Sequence, residues 1–190
     1  MKYDSTIHKR RSIRLQEYDY SQEGLYFVTI CVNEHLCLFG QIKEDKMCLS
    51  VIGVIADVLW YEIKNHAINV ELHNFVVMPN HIHGIIEIMA NTVDGNDVDN
   101  ENGNVGARHA LPLQTQQSRF QNQGKNTLSS IVGSYKSAVT KHAHRLGFAE
   151  FAWQRNYFEH IIRNTKDCNN IVEYITNNPV NWKQDKFYMT

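Results

Sequence analysis

His81 and His83 stand two residues apart in the stretch Asn74-Phe75-Val76-Val77-Met78-Pro79-Asn80-His81-Ile82-His83-Gly84-Ile85-Ile86-Glu87-Ile88. An apolar run, a break at Pro79-Asn80 and a second apolar run read as two strands. In an extended chain, residues two apart share a face. The two imidazoles therefore project together, while Ile82, Gly84 and Ile86 face the other way, towards a core. Paired neutral imidazoles on a rigid strand make half a site for a divalent metal.

A second constellation lies near the C-terminus. Asn164 or Thr165 caps a helix that Pro179 must end. Cys168, Ile171, Val172 and Ile175 recur at helical spacing and form its buried stripe. Tyr174 falls beside that stripe, with Asn178 one turn further on the same flank. Together these residues meet a specific demand. Moving a DNA strand without an energy source needs a nucleophile that keeps the phosphodiester as a protein ester. Tyrosine can serve, but a phenol with a pKa near 10 is weak unaided. A metal held by two imidazoles and an amide oxygen would polarise the phosphate. Tyr157 and Tyr135 are rival tyrosines, and Glu87 is the carboxylate a water-activating hydrolase would use instead.

The elements that must position these groups follow from pattern. Leu25 to Val32, β-branched and aromatic, is a central strand. Leu36 to Ile42 and Met47 to Leu49 flank the polar turn Lys43-Glu44-Asp45-Lys46 as a hairpin. Ser50 caps a helix to about Asn65, with Ile52, Ile55, Ala56, Leu59, Trp60 and Ile63 on one face and Trp60 in the core. Asn69 to Val77 and His81 to Met89 are the strand pair. Asn126 or Thr127 caps a helix through Tyr135, Ala138 and Val139 to about Leu146, before Gly147. Phe151 to Gln154 and Tyr157 to Ile162 are short extended passages.

The 190 residues suit one domain with appendages. They divide into a basic arm at 1–20, a body at 21–182 interrupted by a flexible Asn-, Asp- and Gly-rich insert at 90–124, and a tail at 183–190. No run is apolar for the length of a membrane span and the N-terminus lacks a signal-peptide core, so a cytoplasmic protein is expected. Cys31, Cys37, Cys48 and Cys168 form no C-x-x-C pair and read as free thiols. Phosphate-loop, dinucleotide and nucleophile-elbow motifs do not occur, which removes nucleotide-cradling and serine-hydrolase chemistry.

The net charge of −1 conceals an acidic insert (Asp94, Asp97, Asp99, Glu101) and a modestly basic remainder, compatible with a phosphate-backbone partner. Candidate DNA contacts are Arg10, Arg11 and Arg14 in the arm, Lys136, Lys141 and Arg145 on the polar side of the second long helix, and Arg155 and Arg163 in the passages that follow.

The sequences Met78-Pro79-Asn80-His81-Ile82-His83-Gly84-Ile85, Trp153 to Asn164 and Val172-Glu173-Tyr174-Ile175-Thr176-Asn177-Asn178-Pro179-Val180 resemble the HUH single-strand DNA transposases, nearest to the REP-associated tyrosine transposases. The likeness runs from about Leu25 to Trp182. It implies an α+β, ferredoxin-like antiparallel sheet with helices packed on one face and the catalytic helix at the C-terminus. It also implies Mg²⁺ or Mn²⁺ held at His81 and His83 with Asn178 as the amide ligand. Tyr174 would be the nucleophile, giving a 5′-phosphotyrosine and a free 3′-OH, with single-stranded or hairpin DNA as partner and a homodimer as one possible assembly. Other readings of the same residues are a hairpin nucleic-acid-binding protein with an idle site and a metal-dependent hydrolase.

Overall fold

Strand β1 (Gly24–Cys31) is the spine of a four-stranded antiparallel sheet in the computed structural model, which describes residues 22–67, 69–90 and 127–188. The basic arm and the insert expected at 90–124 lie outside the described residues, Ala90 excepted. The sheet order is β4-β5-β1-β6, with β4 at Val70–Val77, β5 at His81–Ile88 and β6 at Phe158–Ile162. β1 is thus hydrogen-bonded on both edges, as its unbroken apolar sequence predicts. Its register against β5 sets Thr29 opposite His83 and Cys31 opposite His81; against β6 it sets Thr29 opposite Phe158.

Ahead of the strand pair comes a small hairpin, β2 (Gly40–Lys43) and β3 (Lys46–Leu49). Its two turn residues, Glu44 and Asp45, both have positive φ, the backbone of a two-residue hairpin whose twist matches its strands. Ser50 then caps α1 (Val51–Tyr61), its hydroxyl accepting from the Gly53 amide at 3.1 Å. The single helix expected to run to about Asn65 is interrupted at Glu62, and a short turn, α2, covers Ile63–His66. After the second long helix, α3 (Leu128–Arg145, capped by Thr127), an isolated bridge pairs Trp153 with Val32 before β6 begins. Asn164 caps α4 (Thr165–Asn177) through the Asp167 amide at 2.9 Å.

The side-chain alternation of the strands divides the molecule into two layers of unequal depth. Tyr26, Val28 and Ile30 of β1, with Ile82 and Ile86 of β5, join α1 and α3 in the main core, where Ala56, Trp60, Leu128 and Val139 are fully buried. α4 lies on the opposite face, its stripe resting on a smaller cluster of Ile85, Ile162 and Ile175, with Leu25, Phe27 and Val76 alongside. The α+β antiparallel fold and the C-terminal position of the last helix are as expected, but the helices do not share one face: α1 and α3 pack on one side, and α4, whose apolar stripe finds its own cluster at Ile85 and Ile162, packs on the other. No helix among the described residues is long and apolar enough to cross a membrane.

Candidate active site

His81 and His83 project from β5 onto the α4 face, fully buried. Their Nε2 atoms approach to 2.9 Å. The neighbours decide which nitrogens carry protons. The Asn80 amide NH₂ donates to two carbonyls, His35 O at 3.0 Å and Phe187 O at 2.8 Å, so its Oδ1 must be the atom that meets His81 Nδ1 at 2.8 Å. His81 Nδ1 is then the donor, and its Nε2 keeps a lone pair. His83 Nδ1 lies 2.8 Å from the Thr29 hydroxyl, which can donate or accept and so suits either tautomer. A hydrogen bond that fixes one ring nitrogen and frees the other is what a metal-ligating histidine needs.

Burial pulls both imidazoles below their ordinary pKa: His81 to about 4, with the His35 and Lys186 charges adding to the effect and Asp185 opposing it, and His83 well down, with His81 and Lys186 adding. Both are neutral at pH 7, the ligating form.

α4 delivers the phenol. The Tyr174 hydroxyl stands 3.1 Å from His83 Nε2 and donates to Asp185 Oδ2 at 3.1 Å. The ring packs edge-on to Phe27, and the residue is 40% exposed. Burial, the Asp185 carboxylate and its hydrogen bond together raise this phenol to about 12. Asn178 keeps helical angles (φ −58°, ψ −42°) although it precedes proline, which disfavours them. That conformation holds it on the Tyr174 flank. Its Nδ2 donates to Asp185 Oδ2 at 3.0 Å, while its Oδ1 is buried and accepts no hydrogen bond among the described residues.

Asp185 is the residue that sequence reasoning missed. It joins Tyr174, Asn178 and the histidines, and one ligand atom each from His81, His83 and Asp185 fall within 4.8 Å of one another. The set fits a divalent ion. Two nitrogens 2.9 Å apart match the cis edge of an octahedron with bonds of about 2.1 Å, the Asp185 carboxylate stands beside them, and the Asn178 amide that donates to it keeps a buried oxygen without a hydrogen bond. Asp185 falls in the segment expected to be a tail, yet residues 183–188 are folded through Tyr188, with Trp182 and Phe187 buried. Phe187 packs 4.7 Å from the His81 ring, and its amide is tied to Asp185 Oδ1 at 2.7 Å. A signal was present: Trp182, Phe187 and Tyr188 are an improbable load of aromatic surface for a solvated end.

The rivals are placed elsewhere. Tyr135 is buried in the α1/α3 core and donates to Ala56 O at 2.8 Å, and Tyr157 is buried in the same core beside Ser129. Glu87 sits four residues beyond His83 on the same strand face, roughly 13 Å along it, and pairs with His73 at 2.7 Å. Of the candidate DNA contacts, Arg10, Arg11 and Arg14 lie outside the described residues. Lys136 is partly buried and spends its ammonium on Gln154 O (2.7 Å) and Arg155 O (3.2 Å), fastening the segment after Trp153. Lys141 and Arg145 are exposed on α3, across the sheet from Tyr174. Arg163 is exposed just past Ile162, which pairs with Leu25 at the end of the sheet far from the histidines. Arg155 is exposed at the histidine end, between Trp153 and β6.

No family model matches the chain. It is 41% identical over 189 residues to an uncharacterized protein of Haemophilus influenzae, covering 99% of this chain and 98% of that one. Among solved structures, it is similar to a REP-associated tyrosine transposase bound to a REP hairpin, with a TM-score of 0.53 and 22% identity, over 90% of this chain and 77% of that one. The chain thus belongs to one family with the Haemophilus influenzae protein, and it shares the fold of the REP-associated tyrosine transposase.

Proposed function

We propose that this protein is a metal-dependent enzyme that nicks and rejoins single-stranded, hairpin-forming DNA through a 5′-phosphotyrosine on Tyr174. The observation that carries the reading is the Tyr174 hydroxyl 3.1 Å from His83 Nε2 and 3.1 Å from Asp185 Oδ2, residues far apart in sequence that meet on one face of the sheet. The solved transposase of the same fold, bound to a REP hairpin, supports the choice of partner.

The chain's own groups account for the steps. His81 and His83, held by Asn80 and Thr29, with Asp185 and the Asn178 oxygen, would hold Mg²⁺ or Mn²⁺. When bound, that ion supplies Lewis-acid polarisation of the scissile phosphoryl group. Asp185 Oδ2 accepts the Tyr174 hydrogen bond and gives its proton a destination as Oη attacks phosphorus. The bond to the 3′ oxygen breaks, the leaving oxygen takes up the proton that Asp185 received and becomes a free 3′-OH, and the phosphate stays esterified to the tyrosine. Phe27 and α4 hold the ring in line for this attack, and Asn178 holds the carboxylate.

Incubation with a labelled single-stranded hairpin and Mn²⁺ should give a covalent protein–DNA adduct on a denaturing gel. Tyr174→Phe should reduce it by roughly 10⁴-fold or more, since the nucleophile itself is removed. Tyr157→Phe should leave it intact; an adduct that survives in Tyr174→Phe and vanishes in Tyr157→Phe overturns the assignment. Asp185 also favours a second reading, because two histidines and a carboxylate with open positions suit a hydrolase that activates water. Cleavage with no protein attached at any stage would select it.

A further inference from the structure

Lys186 follows Asp185 and extends across the rings of Phe187 and Phe158, its Nζ 4.7 Å from the first centroid and 5.6 Å from the second. Phe187 in turn packs against His81, so a single ring touches both the ammonium and the buried imidazole. No carboxylate pairs with Lys186 within ion-pair distance among the described residues, and its charge is felt by both histidines. A cation held here works against a second cation at His81 and His83. The two lie close enough for screening by salt to be incomplete. The Asp185 carboxylate offsets part of this repulsion, and a further anion seated between the two cations offsets more.

We propose that Lys186 and the group His81, His83 and Asp185 form a two-cation cleft for a single DNA phosphodiester, with Lys186 taking a non-bridging oxygen. The inference rests on the metal-dependent reading above. The Tyr174 hydroxyl bonds to Asp185, the residue before Lys186, and the two aromatic rings restrict the exposed ammonium without neutralising it. Lys186 is a positioning residue in this account: it orients the phosphate and couples DNA binding to metal binding.

The test is the Mn²⁺ affinity of the full chain, read by electron paramagnetic resonance, alone and with saturating octathymidylate. In the wild-type protein the oligonucleotide should tighten Mn²⁺ binding, and its uncharged methylphosphonate counterpart should not. Without DNA, Lys186→Ala should bind Mn²⁺ about two- to fivefold more tightly, because the repulsion is gone. With octathymidylate the tightening should largely disappear in this variant and persist in Lys186→Arg. A merely structural role for the lysine would not produce opposite signs in the two conditions. Equal Mn²⁺ affinity without DNA and an undiminished response to it in Lys186→Ala would overturn the proposal. His81→Ala separates the two levels: lost Mn²⁺ binding there, with no effect of Lys186→Ala, sinks the cleft alone, whereas unchanged Mn²⁺ binding sinks the metal site as well.

Discussion

The two faces of the sheet are built from alternate residues of the same strands and could hardly differ more. On one face Tyr26, Val28, Ile30, Ile82 and Ile86 meet α1 and α3 in a continuous apolar core closed by Trp60 and Tyr135. On the other, the neighbouring residues Thr29, His81 and His83 meet α4 and the C-terminal segment, and the apolar cluster shrinks to Ile85, Ile162, Ile175 and their half-buried fringe. A deep core on one side lets the other carry buried polar groups that a thinner protein could not tolerate. The histidines are rigid because the strand beneath them is anchored from behind.

That division is open to attack, beginning with the largest effect. Tyr174→Phe, which should abolish the covalent adduct, removes one hydroxyl from a side chain 40% exposed. It should leave the thermal midpoint nearly unchanged; a large drop would mean that the phenol belongs to the scaffold. Trp60→Ala empties the centre of the opposite face, where the indole stacks on Phe75 and meets Tyr135 edge-on. Chemical denaturation should show a loss of about 3–5 kcal/mol.

Gly84→Ala probes the boundary between the faces. Its new Cβ would stand 2.3 Å from Trp60 Cζ2 and 2.6 Å from Cη2, directly behind His83. Overpacking of about 1–3 kcal/mol should appear together with weakened Mn²⁺ binding, as the strand shifts under the imidazole. Unaltered metal affinity in a destabilised variant would show that the faces are less coupled than described.

Acid should act on the histidine face. An unfolded histidine titrates near 6.5 and the folded His81 near 4, so between these values the unfolded chain binds the extra proton. Stability is therefore intact above about pH 6.5 and is lost as pH falls, on the order of 1–2 kcal/mol from His81 by pH 5.5. His83 adds in the same direction. Denaturant midpoints measured across this range should fall with pH, less steeply in His81→Asn; a flat profile would contradict the neutral buried pair. The smallest effect is expected for Glu87→Gln, whose carboxylate is at the far end of the strand with His73. Its stability should change by less than about 0.5 kcal/mol, with cleavage unaffected, whereas lost cleavage would return Glu87 to the chemistry.

Much of this was legible before any coordinates. Helical spacing marked α1, α3 and α4 and Ser50 as the cap of the first, and it narrowed the other caps to Asn126 or Thr127 and Asn164 or Thr165, of which Thr127 and Asn164 serve; strand alternation sent His81 and His83 to one face and Ile82 and Ile86 to the other. Local rules suffice here because periodicity and capping are local. Lys136 shows where they stop. A lysine on the polar side of a helix reads as a solvated or DNA-facing charge, but Trp153 and Gln154 come back across α3 and claim it, Trp153 Nε1 donating to Lys136 O at 3.0 Å. No spacing rule encodes a contact between segments that are brought together by a β-bridge to Val32 and by Trp153 packing on Phe39 and Tyr135.

By itself, the sequence determined the strand that carries the imidazoles, the helix that carries the phenol, and the flank on which Tyr174 and Asn178 lie, since each follows from neighbours within a turn or a pleat. Tertiary structure decided that this helix crosses the face opposite α1 and α3. It also decided that Thr29 and Asn80 hold the imidazoles, and that a carboxylate from the chain's last residues closes the group. Asp185 acquires its role only from long-range packing: Phe187 burying its ring against His81 turns the segment inward, and the carboxylate arrives beside Tyr174 because its neighbour is apolar.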